Sequence, residues 1–141
     1  MSLADDEEVR RANHEFYRAF EALAEDRMDA AWAHDGAVTC AHPGWPLAVG
    51  WSEVRESWRT IFANTADIRF TIEDERIDVR GELAWIVCTE RIASGGAEGA
   101  VLATNVFRRE AGAWKLVHHH GSPFAARVQR PAPPPPPKVL H

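Results

Sequence analysis

The side chains best suited to acid and base chemistry in this 141-residue chain are its seven histidines. One of them, His42, begins the turn-rich segment His42-Pro43-Gly44-Trp45-Pro46. An imidazole with a reference pKa of about 6.5 can accept or release a proton at neutral pH, so His42 is a candidate proton shuttle. The alternative is a structural role at the rim of the loop, where the ring would be hydrogen-bonded to the backbone. The residues alone leave both roles open.

Three consecutive histidines, His118, His119 and His120, suggest a metal site at first sight. Side chains on a strand alternate between two faces, so His118 and His120 share one face and His119 lies on the other. Two ligands do not complete a zinc site, which needs three or four. We therefore predict hydrogen-bonded histidines and no metal. No GxGxxG motif precedes a helix, so we predict no cofactor either.

Other reactive side chains give weaker signals. Asp35, Asp67 and Glu90 have no evident partner in the sequence, and we expect them on the solvated surface. The two cysteines, Cys40 and Cys88, do not form a CxxC motif. We expect both thiols to be free and buried, because isolated cysteines behave as small hydrophobic residues.

The elements that must position these residues follow from the hydrophobic periodicity. Apolar residues three and four positions apart predict helices over residues 5–25, 28–34 and 50–63. A short strand is expected over residues 37–42. From Ile68 onward the period changes to two, and short glycine-containing breaks are typical of hairpins. The pattern predicts an α+β fold, with helices on one face of a curved antiparallel sheet.

The predicted strand around Ala84 to Cys88 is apolar at every position, so both of its faces carry hydrophobic side chains. One layer of helices covers only one face of a sheet. An antiparallel sheet that exposed its other face to water would show polar residues in alternation. We therefore expect a homodimer through the outer face of the sheet.

Composition narrows the partners and the location. The net charge is −5 and there is no run of basic residues, which argues against a nucleic-acid partner. The apolar runs are too short to span a bilayer. The first residues lack the regions of a signal peptide, so we expect a cytoplasmic protein without membrane contact. We divide the chain into a domain over residues 1–124 and an Arg- and Pro-rich tail over residues 125–141.

Several motifs resemble the SnoaL-like branch of the nuclear-transport-factor-2-like superfamily. They are the helix end Asp35-Gly36, the turn Ala41-His42-Pro43, the Gly50-led helix, the strand Asn105 to Arg109 and the string Gly112 to Ser122. The end of that string is also similar to the association domain of calcium/calmodulin-dependent kinase II. The resemblance covers about residues 6–123. It implies a conical barrel in which a strongly curved sheet packs on three N-terminal helices, with a pocket between them.

The resemblance also implies catalytic roles. Steroid isomerases of this superfamily place an Asp base before Pro at the end of the first strand, where this chain has His42. Their oxyanion hole combines a helix-one Tyr with a protonated Asp on a late strand. The matching positions hold Phe16 and Asn105, and Tyr17 lies about 100° further round the helix. His42 is thus the implied base and Asn105 the implied hydrogen-bond donor, while steroid isomerisation itself is disfavoured.

A lining for the pocket is implied as well. The predicted ligand-binding residues are Tyr17, Trp32, Trp45, Trp58, Val87, Thr89, Val117 and His119. In the register of the family, Val87, Thr89 and Val117 point into the cone together with Asn105 and His119. Trp45 is the candidate lid, and the tryptophans have the alternative of being plain core. The expected ligand is a small, mostly apolar molecule.

Three interpretations stay open on the sequence. The first is a ligand-binding domain with acid/base chemistry next to a carbonyl, as in isomerisation, cyclisation or dehydration. The second is a non-catalytic dimerisation and association module, with the tail recruiting a partner. The third is a structural dimer whose pocket is filled by tryptophan rings. They differ in whether His42, Asn105 and His119 converge on one cavity of about 300 Å³ or more.

Overall fold

A computed structural model describes residues 3–124 of the chain. The helices in that range are α1 (Leu3–Glu21), α2 (Glu25–Ala31) and α3 (Trp51–Ala63). The strands are β1 (Thr39–Ala41), β2 (Ala48–Val49), β3 (Arg69–Arg80), β4 (Leu83–Ser94), β5 (Ala97–Glu110) and β6 (Ala113–Phe124). The α+β class predicted from the sequence is confirmed. The predicted tail over residues 125–141 lies outside the described residues.

The six strands form one curved sheet in the order β2-β1-β6-β5-β4-β3. Strands β3 to β6 are successive antiparallel hairpins, as predicted, whereas β1 runs parallel to β6. Within residues 3–124 the first and last strands in this order each pair on one side only, so the sheet is curved but unclosed. The register shifts within β3, between Glu73 and Arg76, and such shifts bend a strand locally.

The helices close the inner face of the sheet. Helix α1 buries Val9, Phe16 and Phe20, which recur at the spacing of one helical face. The turn that follows β1 packs closely against Gly121 of β6. A Cβ added at Gly121 of β6 would lie 3.3 Å from the ring of Pro43 and 2.9 Å from Val101. Glycine at this position therefore lets the turn pack directly on the sheet.

Several boundaries differ from the predictions: α1 and α2 begin two and three residues earlier, β1 is shorter at both ends, and three further differences have a structural cause. Helix α1 ends four residues early, because Leu23 has a positive φ of 51°. Helix α2 also ends early, because Trp32 is extended and bridges to Leu116 of β6. The segment Ala48–Val49, expected in a loop, forms the short strand β2 and pairs with β1.

Cys40 and Cys88 are both buried and free, as expected. Within residues 3–124, none of the helices has the length and apolar character needed to cross a membrane.

Candidate functional site

Polar side chains are buried between the helices and the inner face of the sheet. Among the residues that the structure describes, six polar ones are at most 7% exposed: Asn13, His42, Ser57, Glu90, Asn105 and His119. Aromatic rings pack among them: Phe16, Tyr17, Phe20, Trp58 and Phe70. Burying a polar group is unfavourable unless it is hydrogen-bonded, so the partners of these groups define the site.

Strand β4 turns Cys88 and Glu90 toward the helices. Val87 and Thr89 alternate with them and lie on the opposite face, so the structure does not place them in the interior toward which the family register pointed them. The prediction of a solvated Glu90 is wrong as well, because this residue is 3% exposed. The inward face of β4 is therefore the one that carries a carboxyl group.

A bulge in β6 decides which histidine faces the interior. The ladder between β5 and β6 shifts at Val117, an extra residue that is only partly buried. Leu116 and His119 are both buried as a result, although strict alternation would separate them. His118 and His120 lie on the other face, with ring centroids 6.2 Å apart. Among residues 3–124 no three side chains of metal-binding type come together.

We call Cys40, His42 and Ser57 the His42 centre. Nε2 of His42 lies 2.9 Å from Oγ of Ser57, whose hydroxyl donates to the carbonyl of Val54 at 2.6 Å. A hydroxyl has one hydrogen, so Ser57 must accept from Nε2–H, and the lone pair of the ring is on Nδ1. Burial lowers the pKa of His42 to about 4, so the imidazole is neutral at pH 7.

We call Asn13, Tyr17, Glu90, Asn105 and His119 the Tyr17 centre. The hydroxyl of Tyr17 donates to Oε2 of Glu90 at 2.5 Å and accepts from Nδ2 of Asn105 at 3.1 Å. Asn105 also donates to Oδ1 of Asn13 at 2.8 Å. Its own Oδ1 lies 2.5 Å from Nδ1 of His119. Tyr17 therefore reaches Asn105 despite its offset round the helix.

Glu75 of β3, whose side chain is 15% exposed, determines which atom donates and which accepts in these hydrogen bonds. Glu75 of β3 accepts from Nδ2 of Asn13 at 3.3 Å. A carboxylate has no hydrogen to donate, so Asn13 presents its oxygen to Asn105, and Asn105 presents its oxygen to His119. His119 then carries its hydrogen on Nδ1. Burial holds the pKa of His119 well below its usual range, so the ring is neutral and has a lone pair on Nε2.

Glu90 is the acidic group of the Tyr17 centre. Burial raises its pKa from 4.5 to about 7, and the hydrogen bond from Tyr17 acts in the opposite direction. Burial and the neighbouring Glu90 both raise the pKa of Tyr17 well above its usual value. At neutral pH Glu90 is thus close to its midpoint, whereas the phenol of Tyr17 keeps its proton.

The two centres meet at Trp58. Its ring centroid lies 4.5 Å from that of His42 and 5.9 Å from that of His119, and the two imidazole centroids are 6.2 Å apart. Within residues 3–124 the buried indole N–H of Trp58 has no acceptor. Trp32 is buried beside it, with ring centroids 6.5 Å apart. The structure thus brings together Trp58, Trp32 and both predicted histidines.

Two surface cavities reach the ends of this interior. One, of about 200 Å³, lies between α1 and β3 and is lined by Tyr17 and Phe70. The other, of about 280 Å³, lies beside α3 and is lined by Trp45 and Ser57. Trp45 is 40% exposed, with its ring 5.3 Å from that of His42. His42, Asn105 and His119 line neither of these two cavities, so the three side chains meet within the packed interior and not on the open cavity that the resemblance implied.

Comparison with known proteins gives a family and a set of relatives. A family model described as a SnoaL-like domain matches residues 9–126. The chain is similar to a candidate dehydratase of the NTF2-like family from Streptomyces avermitilis, a crystal structure with 38% identity and a TM-score of 0.82. That match covers 86% of this chain and 97% of the other.

Two further relatives have other descriptions. One is a candidate calcium/calmodulin-dependent protein kinase type II association domain from Thiobacillus denitrificans, with 36% identity and a TM-score of 0.75 over 80% of this chain and 92% of the other. The other is the F-box protein SKIP8 of Arabidopsis thaliana, 31% identical over 78% of this chain. The chain spans about half of that curated relative, 47% of its length.

Proposed function

The chain belongs to the SnoaL-like domain family, and from this premise we propose that it binds a small, mostly apolar molecule and moves a proton next to a carbonyl group of that molecule. Isomerisation, cyclisation and dehydration are the reaction types that fit. The observation that carries the proposal is the convergence of His42, His119 and Glu90, all titratable, in one aromatic-walled interior. Similarity to the candidate dehydratase supports the reaction class.

His42 is the proposed general base. Its pKa of about 4 makes the imidazole a weak base that is fully available at pH 7. That strength is adequate for the task, because the aspartate base of ketosteroid isomerase has a pKa of about 4.6. The lone pair on Nδ1 is the proton acceptor, since Nε2–H is held by Ser57.

Trp58 is the proposed orienting group for a ligand oxygen, and the predicted donors Asn105 and His119 hold the hydrogen-bonded network beside it. Both hydrogens of the Asn105 amide are engaged, one with Asn13 and one with Tyr17. The indole N–H of Trp58 has no acceptor among the described residues, so a ligand oxygen would satisfy it. A polar oxygen on an otherwise apolar ligand is what such a lining favours.

The test is proton exchange on a simple apolar ketone. We expect the protein to accelerate deuterium incorporation next to the carbonyl of 2-tetralone in D₂O, followed by proton NMR. His42→Gln should slow this exchange by about 100-fold or more, the usual contribution of a general base. His34→Gln is the matched control, because His34 stacks on Trp51 at 4.2 Å outside the site. No acceleration by the protein, or an unchanged rate in His42→Gln, would contradict the proposal.

The homodimer is proposed through the outer face of the sheet. Leu102 on this face is 49% exposed, and Trp85, Val87 and Val106 are partly exposed. Covering such apolar side chains is the driving force for association. Sedimentation should give the mass of a dimer, and Leu102→Glu should shift it toward the monomer. A monomeric wild-type chain at micromolar concentration would rule the dimer out.

A non-catalytic association module is the second candidate, and the likeness to the candidate association domain supports it. It predicts that assembly depends on the Pro-rich residues 131–141. Light scattering on the full chain and on a chain ending at residue 130 separates the two candidates. A simple dimer in both samples counts against this candidate. A cytoplasmic location is part of both proposals.

A further inference from the structure

We propose that Glu90 is the positioning residue of the site, and that its protonation state decides whether the hydroxyl of Tyr17 is donated to a ligand or kept within the protein. The ligand group concerned is a carbonyl oxygen on a neutral, apolar molecule. The inference deepens the proposed function and rests on it for the identity of the ligand class. The relation between Glu90 and Tyr17 is a property of the protein alone.

The phenol of Tyr17 has a single hydrogen to donate. In the structure Tyr17 donates this hydrogen to Glu90 at 2.5 Å and accepts from Asn105 at 3.1 Å. A protonated Glu90 has a hydrogen of its own and donates it to the same phenol oxygen. The hydroxyl of Tyr17 is then free to turn to another acceptor, either Sγ of Cys88 at 3.6 Å or a ligand oxygen. Ionised Glu90 thus retains the donor, and protonated Glu90 releases it.

Access comes from the cavity between α1 and β3. This space of about 200 Å³ is lined by Tyr17, Phe70 and Ile72 together with polar side chains of α1. The Phe70 ring lies 5.2 Å from the Tyr17 ring, so the wall beside the phenol is aromatic. Tyr17 lines this space but is only 3% exposed, so an apolar molecule must enter between α1 and β3 to reach its hydroxyl.

Among the groups around Tyr17 that the structure describes here, Glu90 is the one whose change of charge alters the hydrogen bond of the phenol. Burial raises the pKa of Glu90 and the Tyr17 hydrogen bond lowers it, and neither influence comes from a cation. On β4, burial raises the pKa of Cys88 to about 12, with Glu75 of β3 adding to it. On β1, burial and Glu90 raise the pKa of Cys40. Both thiols therefore stay neutral between pH 5 and 9, where Glu90 titrates.

The first arm of the test uses the fact that Tyr17 is the single tyrosine of the chain. Labelling tyrosine with carbon-13 at Cζ gives one resonance that reports the hydrogen bonds of this phenol. We expect it to shift between pH 5 and 9 with a midpoint of about 7, the pKa of Glu90. In Glu90→Gln, which keeps the shape but does not titrate, the resonance should not move.

The matched control is Glu73→Gln on β3, because Glu73 has a side chain that is 40% exposed and pairs with Arg91. The midpoint near 7 should persist in this variant. A wild-type resonance that does not move over the range would overturn the inference, as would one that still moves in Glu90→Gln.

The second arm measures binding of 2-tetralone by quenching of tryptophan fluorescence. The protonated fraction of Glu90 falls about thirtyfold between pH 5.5 and 8.5 if its pKa is about 7, so the apparent affinity should fall by a similar factor. Glu90→Gln should bind with an affinity that is independent of pH. Tyr17→Phe should bind weakly at both pH values, because the donor itself is absent.

The two arms separate the inference from the proposed function. If the Tyr17 resonance titrates as expected and 2-tetralone neither binds nor exchanges, the ligand class fails and the control of Tyr17 by Glu90 stands. If 2-tetralone binds and exchanges with the same pH dependence in Glu90→Gln as in the wild type, the inference fails and the proposed function stands.

Discussion

The His42 centre and the Tyr17 centre bury titratable groups of opposite type in the same interior. Burial lowers the pKa of His42 to about 4 and raises that of Glu90 to about 7. The cause is the same in both, because a low dielectric disfavours the charged form of either group. The outcome differs, since at pH 7 the imidazole is wholly neutral and the carboxyl group is near its midpoint.

The centres also differ in the number of hydrogen-bond arrangements that each one can adopt. Ser57 has committed its hydrogen to a backbone carbonyl, so the tautomer of His42 is fixed by the helix that carries Ser57. Tyr17 has one hydrogen and two arrangements, which depend on Glu90. One centre therefore presents a constant acceptor, and the other presents a donor that depends on pH. Similar burial therefore produces a fixed group or an adjustable one, according to the hydrogen-bond partner of that group.

The largest expected effect is at Trp58, the ring shared by both centres. Trp58→Ala removes contacts with His42, His119 and Phe16, and we expect a loss of about 3–5 kcal/mol in the free energy of unfolding. Urea denaturation is the measurement. Trp45→Ala is the control: its ring is 40% exposed, and the expected loss is less than about 1 kcal/mol. Equal losses in the two variants would mean that Trp58 does not hold the centres together.

The next effect is on the pH dependence of the free energy of unfolding, to which Glu90 and His42 contribute with opposite signs. The folded-state pKa of Glu90 is raised from 4.5 to about 7, so its stabilising contribution is complete below pH 4.5 and is lost as the pH rises through 7. The difference corresponds to about 3 kcal/mol. Glu90→Gln should remove this decline in urea denaturation curves recorded from pH 4.5 to 8. A decline of unchanged size in Glu90→Gln would show that Glu90 is ionised at no extra cost.

His42 should show the opposite sign with a similar or smaller size. Its folded-state pKa is lowered from 6.5 to about 4, so its contribution is present above pH 6.5 and is lost as the pH falls toward 4. The loss is up to about 3 kcal/mol. His42→Gln should retain more stability than the wild type at pH 4.5 relative to pH 7. If His42→Gln and Glu90→Gln change the pH dependence of stability in the same direction, the expected difference between the two centres is contradicted.

The smallest effect concerns Glu75, which orients the amides of the Tyr17 centre. Glu75→Leu leaves Nδ2 of Asn13 without its acceptor, so we expect a loss of about 1 kcal/mol. It also frees both amides to rotate, and nitrogen-15 spectra of the histidines should show His119 as a mixture of tautomers. Glu73→Leu on the same strand should leave His119 protonated on Nδ1. A single unchanged tautomer in Glu75→Leu would mean that Glu75 does not set the direction.

Much of the fold could be predicted because it rests on local periodicity. Helix α3 and the four long hairpin strands follow their apolar patterns closely. Strand β2 was not predictable in the same way, because two residues are too few for a period and their partner is β1. Helix α2 was shifted for a similar reason, since it ends where Trp32 bridges to β6.

The site was predicted in part. The inward position of Asn105 and His119 agrees with the family register, while Val87 and Thr89 lie on the other face. Glu90 was missed although a signal was present: the series Ala84, Ile86 and Cys88 marks the inner face of β4, and Glu90 is its next member. A polar residue that continues an apolar series is a candidate buried group.

The class of fold, the separation of helices from strands and the SnoaL-like family could be read from the sequence, because they depend on short-range patterns and on contiguous motifs. The tertiary structure alone decided that Tyr17 meets Glu90, 73 residues away in the chain, and that a bulge at Val117 keeps His119 inside. Register and long-range hydrogen bonds depend on which segments pack together, and burial then sets the pKa of each group. The acid/base character of the interior follows from that packing.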